Sequence, residues 1–230
     1  MEENYIITAQ DICKEFMVGG QPLKVLHNVN VKIRSGKLTI LRGRSGSGKT
    51  TLLNILSSLD RPTSGSVFLE GEDVCKMSDT KRDDIRRTKE GFIFQSVALI
   101  STMTGYENVE FAMRVAQNKM RNASQTIHEW LKLVDVDKRA NHRPGEMSGG
   151  EQQRIAIVRA MINNPKVVFA DEPTAELDTN TGLQVVELFK KLIEQKNITV
   201  VMTTHDPNMM ELADCVYTLE DGRITDELVR

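Results

Sequence analysis

The chain has 230 residues, 40% of them apolar, with 30 basic side chains against 32 acidic ones. That is enough apolar material for one sizeable core, and the near-neutral balance removes any bulk electrostatic basis for nucleic-acid binding. No apolar run approaches the roughly 18 residues of a membrane helix. The start Met1-Glu2-Glu3-Asn4 is acidic where a secretion signal is basic. Cys13, Cys75 and Cys215 are odd in number and far apart, which disfavours a disulfide framework or a zinc site. A cytoplasmic chain forming one compact unit, without repeats or linkers, is expected.

In chain order, Val29, Val31 and Ile33 alternate with polar residues, the period of a half-buried strand. Lys37–Leu41 reads as a second strand, ending at Gly43. From Lys49 the period becomes helical, through Leu52, Leu53, Ile55, Leu56 and Leu59, until Asp60-Arg61-Pro62 stops it. Turn signals at Pro62–Gly65 and Glu70-Gly71 flank a short strand, Ser66–Leu69, and Gly91–Phe94 reads as another. The mixed-charge run Lys81-Arg82-Asp83-Asp84 reads as a solvated helix face. From Thr102 to Asn163 the pattern is mostly helical. Strands return at Val167–Ala170, Ile198–Met202 and Cys215–Leu219, with a helix over 179–195. Strands alternating with helices point to a parallel α/β sheet, here interrupted by a long helical insertion.

Gly43-Arg44-Ser45-Gly46-Ser47-Gly48-Lys49-Thr50 fits the pattern G-x-x-x-x-G-K-[ST] and lies between a strand and a helix, the context that gives the pattern its mechanism. The glycines let successive N–H groups turn inward around phosphate oxygens, and the helix N-terminus adds its positive dipole end. Lys49 would neutralise the outer phosphates, and the Thr50 hydroxyl would ligate Mg²⁺. Val167–Ala170 ends in Asp171-Glu172 at the carboxyl edge of the sheet, where ligands of open α/β folds bind. Asp171 is placed to hold Mg²⁺ through water, and Glu172 to polarise the attacking water. Alone, such a pair is also an ordinary acidic turn. Met147-Ser148-Gly149-Gly150-Glu151 opens another helix. Ser148 is a natural N-cap, and the same geometry offers N–H groups and a hydroxyl to a second anion.

With these motifs in order, the whole chain resembles the ATP-binding subunits of ABC transporters. Met147–Arg154 is similar to that family's signature motif, with Met for Leu and Glu for Gln. The resemblance implies a P-loop fold with a RecA-like core, an antiparallel β subdomain and an inserted α-helical subdomain. The core and β parts would cover about 1–96 and 165–230, and the helical part about 97–164. ATP would be held by Gly43, Arg44, Ser45, Gly46, Ser47, Gly48, Lys49, Thr50 and Thr51, with Phe16 stacked on adenine. Gln95 resembles the family's glutamine that touches Mg²⁺ and water, so the metal set becomes Thr50, Gln95 and Asp171. Glu172, His205, Gln95 and Lys49 would carry hydrolysis. Asp178 matches the loop after the acidic pair. In the family each ATP lies between one subunit's phosphate loop and the other's signature, so Ser148, Gly149 and Gly150 would bind across a homodimer.

Phe92-Ile93-Phe94-Gln95-Ser96, Arg143-Pro144 and Ala170–Thr174 are similar to the branch serving macrolide exporters, lipoprotein-release systems and peptide-antibiotic resistance pumps. The cell-division ATPase of that branch is also close. The implied partner is a membrane permease, with or without an extracytoplasmic adaptor, and the subunit would be peripheral on the cytoplasmic face. The contiguous apolar residues Val97-Ala98-Leu99-Ile100 are expected to be exposed in a loop, in the region that receives a permease helix in the family. A soluble ABC ATPase acting on nucleic acid or ribosomes is disfavoured by one phosphate loop, no cysteine cluster and no basic footprint.

Overall fold

The computed structural model describes residues 4–118 and 122–230, so the acidic Met1-Glu2-Glu3 start lies outside it. Tyr5–Val18 (β1) and Gln21–Arg34 (β2) form a long antiparallel hairpin closed by Gly19-Gly20. The alternation read from Val29 belongs to β2. Strand β1 escaped the periodicity because its register shifts between Ala9 and Ile12, where Asp11 takes φ 52°. Such a bulge breaks the two-residue phase of side chains. Leu38–Arg42 (β3) leads through the glycine loop into Lys49–Leu56 (α1). The helix stops before Leu59, because Ser58 turns to φ 58° and leaves Leu59 exposed.

Ser64–Leu69 (β4) and Glu72–Asp73 (β5) complete a four-stranded antiparallel sheet in the order β2-β1-β4-β5. Asp79–Thr88 (α2) follows, capped by the Ser78 side chain. Its charged run is not all solvated. Arg82 is buried and donates to the carbonyls of Ser58 (2.7 Å) and Asp60 (3.0 Å). The guanidinium satisfies backbone groups that the early end of α1 leaves unpaired.

Glu90–Ile93 (β6) precedes three helices, Gly105–Val115 (α3), Ala123–Leu133 (α4) and Gly149–Met161 (α5). Reciprocal capping boxes open α3 (Thr104 with Glu107) and α5 (Ser148 with Glu151). Val167–Ala170 (β7), Thr179–Lys196 (α6), Thr199–Thr204 (β8), Cys215–Glu220 (β9) and Arg223–Val229 (β10) finish the chain. Strand β10 is a largely exposed edge with little apolar signal, which is why the sequence pattern passed over it.

The second sheet runs β10-β9-β3-β8-β7-β6, parallel except for β10. Alternate side chains feed two apolar clusters on its opposite faces. Ile40, Val168, Ala170, Val200 and Met202 pack with the helices α3 to α6. Leu41, Val167, Phe169, Val201 and Leu219 pack with the β1–β2 hairpin and α1. All four residues of β7 are buried, as a central parallel strand requires. The architecture is therefore a RecA-like P-loop core with a mixed sheet, an antiparallel sheet and an inserted helical part. Since β3, β6, β7 and β8 run the same way, the segments leaving them emerge at one edge. No helix among the described residues is long and apolar enough to cross a membrane.

Candidate functional site

The loop from β3 to α1 closes tightly on its surroundings. A Cβ at Gly43 would lie 2.2 Å from the Leu219 carbonyl oxygen and 2.6 Å from Ser47 Oγ. Gly48, the residue before α1, has φ 101°, a conformation that only glycine takes without strain. Lys49 opens the helix with its side chain buried, and its ammonium donates to the carbonyls of Gly43 (2.9 Å) and Arg44 (3.1 Å). The cation thus already lies within the arc of the loop, where an anion would meet it.

Beside it the end of β7 contributes two carboxylates with distinct partners. Asp171 Oδ1 accepts from the hydroxyls of Thr50 (3.0 Å) and Thr203 (2.7 Å). Glu172 reaches Lys49 Nζ with Oε1 (3.6 Å) and His205 Nδ1 with Oε2 (3.3 Å). Its backbone turns to φ 43°, and its N–H donates to Thr203 Oγ1 (2.8 Å). Thr203 therefore ties both carboxylate residues to β8. The periodicity did not single it out, since in sequence it is one more residue of an apolar strand. Glu172, Thr174, His205 and Met209 line a cleft of about 120 Å³ next to this cluster.

The Thr50 hydroxyl and the Asp171 carboxylate, one hydrogen bond apart, suit Mg²⁺, which takes one or two protein oxygens and keeps water and phosphate as its other ligands. Gln95 does not join them. It sits exposed in the turn after β6 and, among the described residues, shares no hydrogen bond with the cluster. Ser148 is likewise separate. Its Oγ accepts from the Glu151 N–H (3.3 Å), and its own N–H donates to Glu151 Oε2 (2.8 Å). Arg139 Nε donates to the other Glu151 oxygen (2.7 Å). The Ser148 N–H and then Arg139 hold the Glu151 carboxyl below its usual range. Gly149 and Gly150 form the first turn of α5, and a Cβ at Gly150 would come 3.0 Å from Thr181. Asp178 caps α6 through the Thr181 N–H (3.1 Å) and accepts from the Thr181 hydroxyl (2.6 Å), bonds that hold its carboxyl below the usual range. Phe16 projects from the hairpin, 40% exposed.

The loop after β6 corrects one expectation. Val97 is buried, Leu99 packs into the core, and only Ala98 is fully exposed. Val97 and Ala98 both take positive φ, which turns their carbonyls onto the Arg159 guanidinium and Val97 inward. The exposed apolar surface lies beside the loop instead, in a groove of about 400 Å³. Phe94, Ile100, Phe111 and Val115 line it, with Arg86, Arg87 and Arg159 around them. Glu90 sits at the groove's base, where burial pushes its carboxyl up to about 8 against the Ser58 hydroxyl bonded to Oε1.

The ABC transporter family model matches residues 26–175. An uncharacterised ABC transporter ATP-binding protein of Thermotoga maritima is 43% identical over 93% of this chain and 91% of that protein. The lipoprotein-releasing system ATP-binding protein LolD of Syntrophotalea carbinolica is 40% identical over 96% of this chain and 97% of that protein. Among solved structures, the ATP-binding cassette MJ0796 of Methanocaldococcus jannaschii is similar at a TM-score of 0.89 and 37% identity, over 97% of this chain and 98% of that one. That structure is a dimer in a post-hydrolysis state with ADP and Pi.

Proposed function

The chain belongs to the ABC transporter family as an ATP-binding and hydrolysing cassette, and from that premise we propose that two copies close around two ATP molecules and drive a membrane permease. The single observation that carries the reading is the cluster at one sheet edge, in which Lys49 and His205 flank Glu172 while Thr50 and Thr203 hold Asp171.

Each residue then has a role set by its surroundings. The loop from Gly43 to Thr51 surrounds the phosphates, and Lys49 exchanges its two carbonyl partners for phosphate oxygens. Thr50 and Asp171 would hold Mg²⁺, which would supply charge neutralisation to the outer phosphates. Glu172 takes the proton of the attacking water, with its carboxylate aimed by Lys49 on one oxygen and His205 on the other. His205 would report on the outer phosphate, and Gln95 would be the residue that touches the metal and the water. Phe16 stacks on adenine. Ser148, Gly149 and Gly150 receive the outer phosphate of the ATP held by the second copy, with Asp178 beside that seam.

The likeness to the dimeric cassette and the exposed start of α5 at Ser148, apart from the chain's own phosphate loop, support the two-copy arrangement. The groove at Phe94 and Phe111 fits an amphipathic permease helix laid into it. The subunit is then peripheral, on the cytoplasmic face. The likeness to a lipoprotein-releasing ATPase and the motifs of that branch favour export of antibiotics, peptides or lipoproteins.

The composite site is tested by mixing. A Ser148→Arg copy keeps its own phosphate loop but blocks its partner's outer phosphate, and a Lys49→Ala copy does the reverse. Each alone is expected to be inactive, and an equimolar mixture to recover part of wild-type ATPase activity through one intact site per mixed dimer. Ser148→Arg with full activity, independent of protein concentration, refutes the two-copy arrangement.

A further inference from the structure

The Phe16 ring is already engaged on one side. The Lys14 ammonium lies 4.9 Å from the ring centroid. It is anchored by the Asp60 carboxylate (2.7 Å) and by donation to the Arg61 carbonyl (2.7 Å). Lys14 and Phe16 stand two residues apart on β1, and the ammonium lies over the ring. The lysine side chain is 12% exposed, and the ring 40%. The anchor matters because of where Asp60 and Arg61 come from. They leave the end of α1, the helix whose first residue is Lys49, and the Asp60 N–H donates to the Asn54 carbonyl within that helix (3.0 Å). Two further bonds tie the same segments, Thr63 N–H to the Cys13 carbonyl (2.8 Å) and Glu15 N–H to Thr63 Oγ1 (2.9 Å). The link therefore runs from the phosphate loop through α1 and Asp60 to the ring.

We propose that Lys14, clamped by Asp60 and Arg61, is a positioning residue for nucleotide binding that fixes the Phe16 ring from one side and leaves the other side for a purine base. The inference rests on the reading of Phe16 as the base platform. A cation over an aromatic face is held by the ring quadrupole. An aromatic side chain near the tip of a hairpin otherwise has several rotamers to choose among, and each lost on binding weakens affinity. Holding the ring in advance removes that loss. Stacking reads ring size and not hydrogen-bond pattern, so the device favours purine over pyrimidine nucleotides without separating adenine from guanine.

The test compares a non-hydrolysable ATP analogue with inorganic tripolyphosphate, which has no base, by calorimetry with Mg²⁺ present. Lys14→Met keeps the stem and removes the charge. It is expected to bind the nucleotide about fivefold more weakly and tripolyphosphate as wild type does, with KM raised and kcat unchanged. Lys14→Arg is expected to restore binding, since a guanidinium can both stack and pair with Asp60. Asp60→Asn, which frees the ammonium from its anchor, is expected to reproduce the Lys14→Met pattern and serves if that variant does not fold. Phe16→Ala is expected to lose about tenfold or more for the nucleotide alone. If Phe16→Ala weakens nucleotide binding while Lys14→Met and Asp60→Asn do not, the role of Lys14 is refuted and the base platform stands. If Phe16→Ala binds normally, the platform reading fails first. Equal losses for nucleotide and tripolyphosphate in the Lys14 variant also overturn the proposal, because the residue would then act on the fold of the phosphate loop.

Discussion

Replacing Glu172 with glutamine isolates the chemistry from the architecture. The amide has the shape of the carboxylate, so the left-handed turn at φ 43° and the bond from the Glu172 N–H to Thr203 are retained. Two things change. The contact at 3.6 Å to Lys49 loses its charge, yet Lys49 keeps the Gly43 and Arg44 carbonyls as partners, so the phosphate loop holds its form. The oxygen 3.3 Å from His205 can no longer accept a proton from water at neutral pH. General-base catalysis contributes about 10²–10⁴-fold, roughly 3–5 kcal/mol of barrier, and turnover should fall by that factor. Nucleotide affinity should hold or rise, because one negative charge near the phosphates is gone. Phosphate release at saturating ATP measures the first effect. Size-exclusion chromatography with ATP measures the second, since a variant that binds without hydrolysing should accumulate as a dimer. Turnover within a few-fold of wild type would refute the assignment of Glu172 as base.

Lys49→Ala leaves phosphate charge unneutralised and should abolish measurable binding of a non-hydrolysable ATP analogue, whereas His205→Ala, removing a mostly exposed ring, should retain binding and lose turnover. Calorimetry with both variants decides, and equal loss of affinity contradicts the division of roles. Phe111→Asp places a charge in the apolar groove and should reduce co-purification with the proposed permease partner while sparing ATP binding; Leu99→Asp, at an inward-facing site, should instead lower thermal stability. Glu90 predicts a pH dependence. Its folded value of about 8 exceeds the ordinary 4.5, so the folded chain holds a proton that the unfolded chain releases. Stability is fully present below about pH 4.5 and declines as pH rises toward 8. Glu90→Gln should flatten that decline, by an amount on the order of a few kcal/mol, in urea midpoints compared at pH 5 and pH 8.5. An unchanged slope would show that Glu90 is charged in the folded state.

The phosphate loop, the acidic pair after β7, the serine cap of α5 and the strands β3, β7, β8 and β9 were legible from residue order. Their physics is local: a glycine loop needs certain residues in certain places, and a buried parallel strand needs consecutive apolar ones. Strand β1 was not legible, because a bulge at Asp11 scrambles its alternation, and neither was β10, a polar edge. The side-chain partnerships were also hidden. Thr203 joins Asp171 and Glu172 across two strands, Arg82 caps carbonyls more than twenty residues away, and Lys14 reaches Asp60 and the Phe16 ring at once. Val97 and Leu99 read as exposed because they are apolar and in a loop, but two positive φ angles turn the backbone, so Val97 is buried and Leu99 packs inward. Local sequence thus determined which chemical groups stand at the ends of the strands. Only the tertiary structure decided which of them meet, because the direction of a side chain depends on backbone turns and neighbours that lie far apart along the chain.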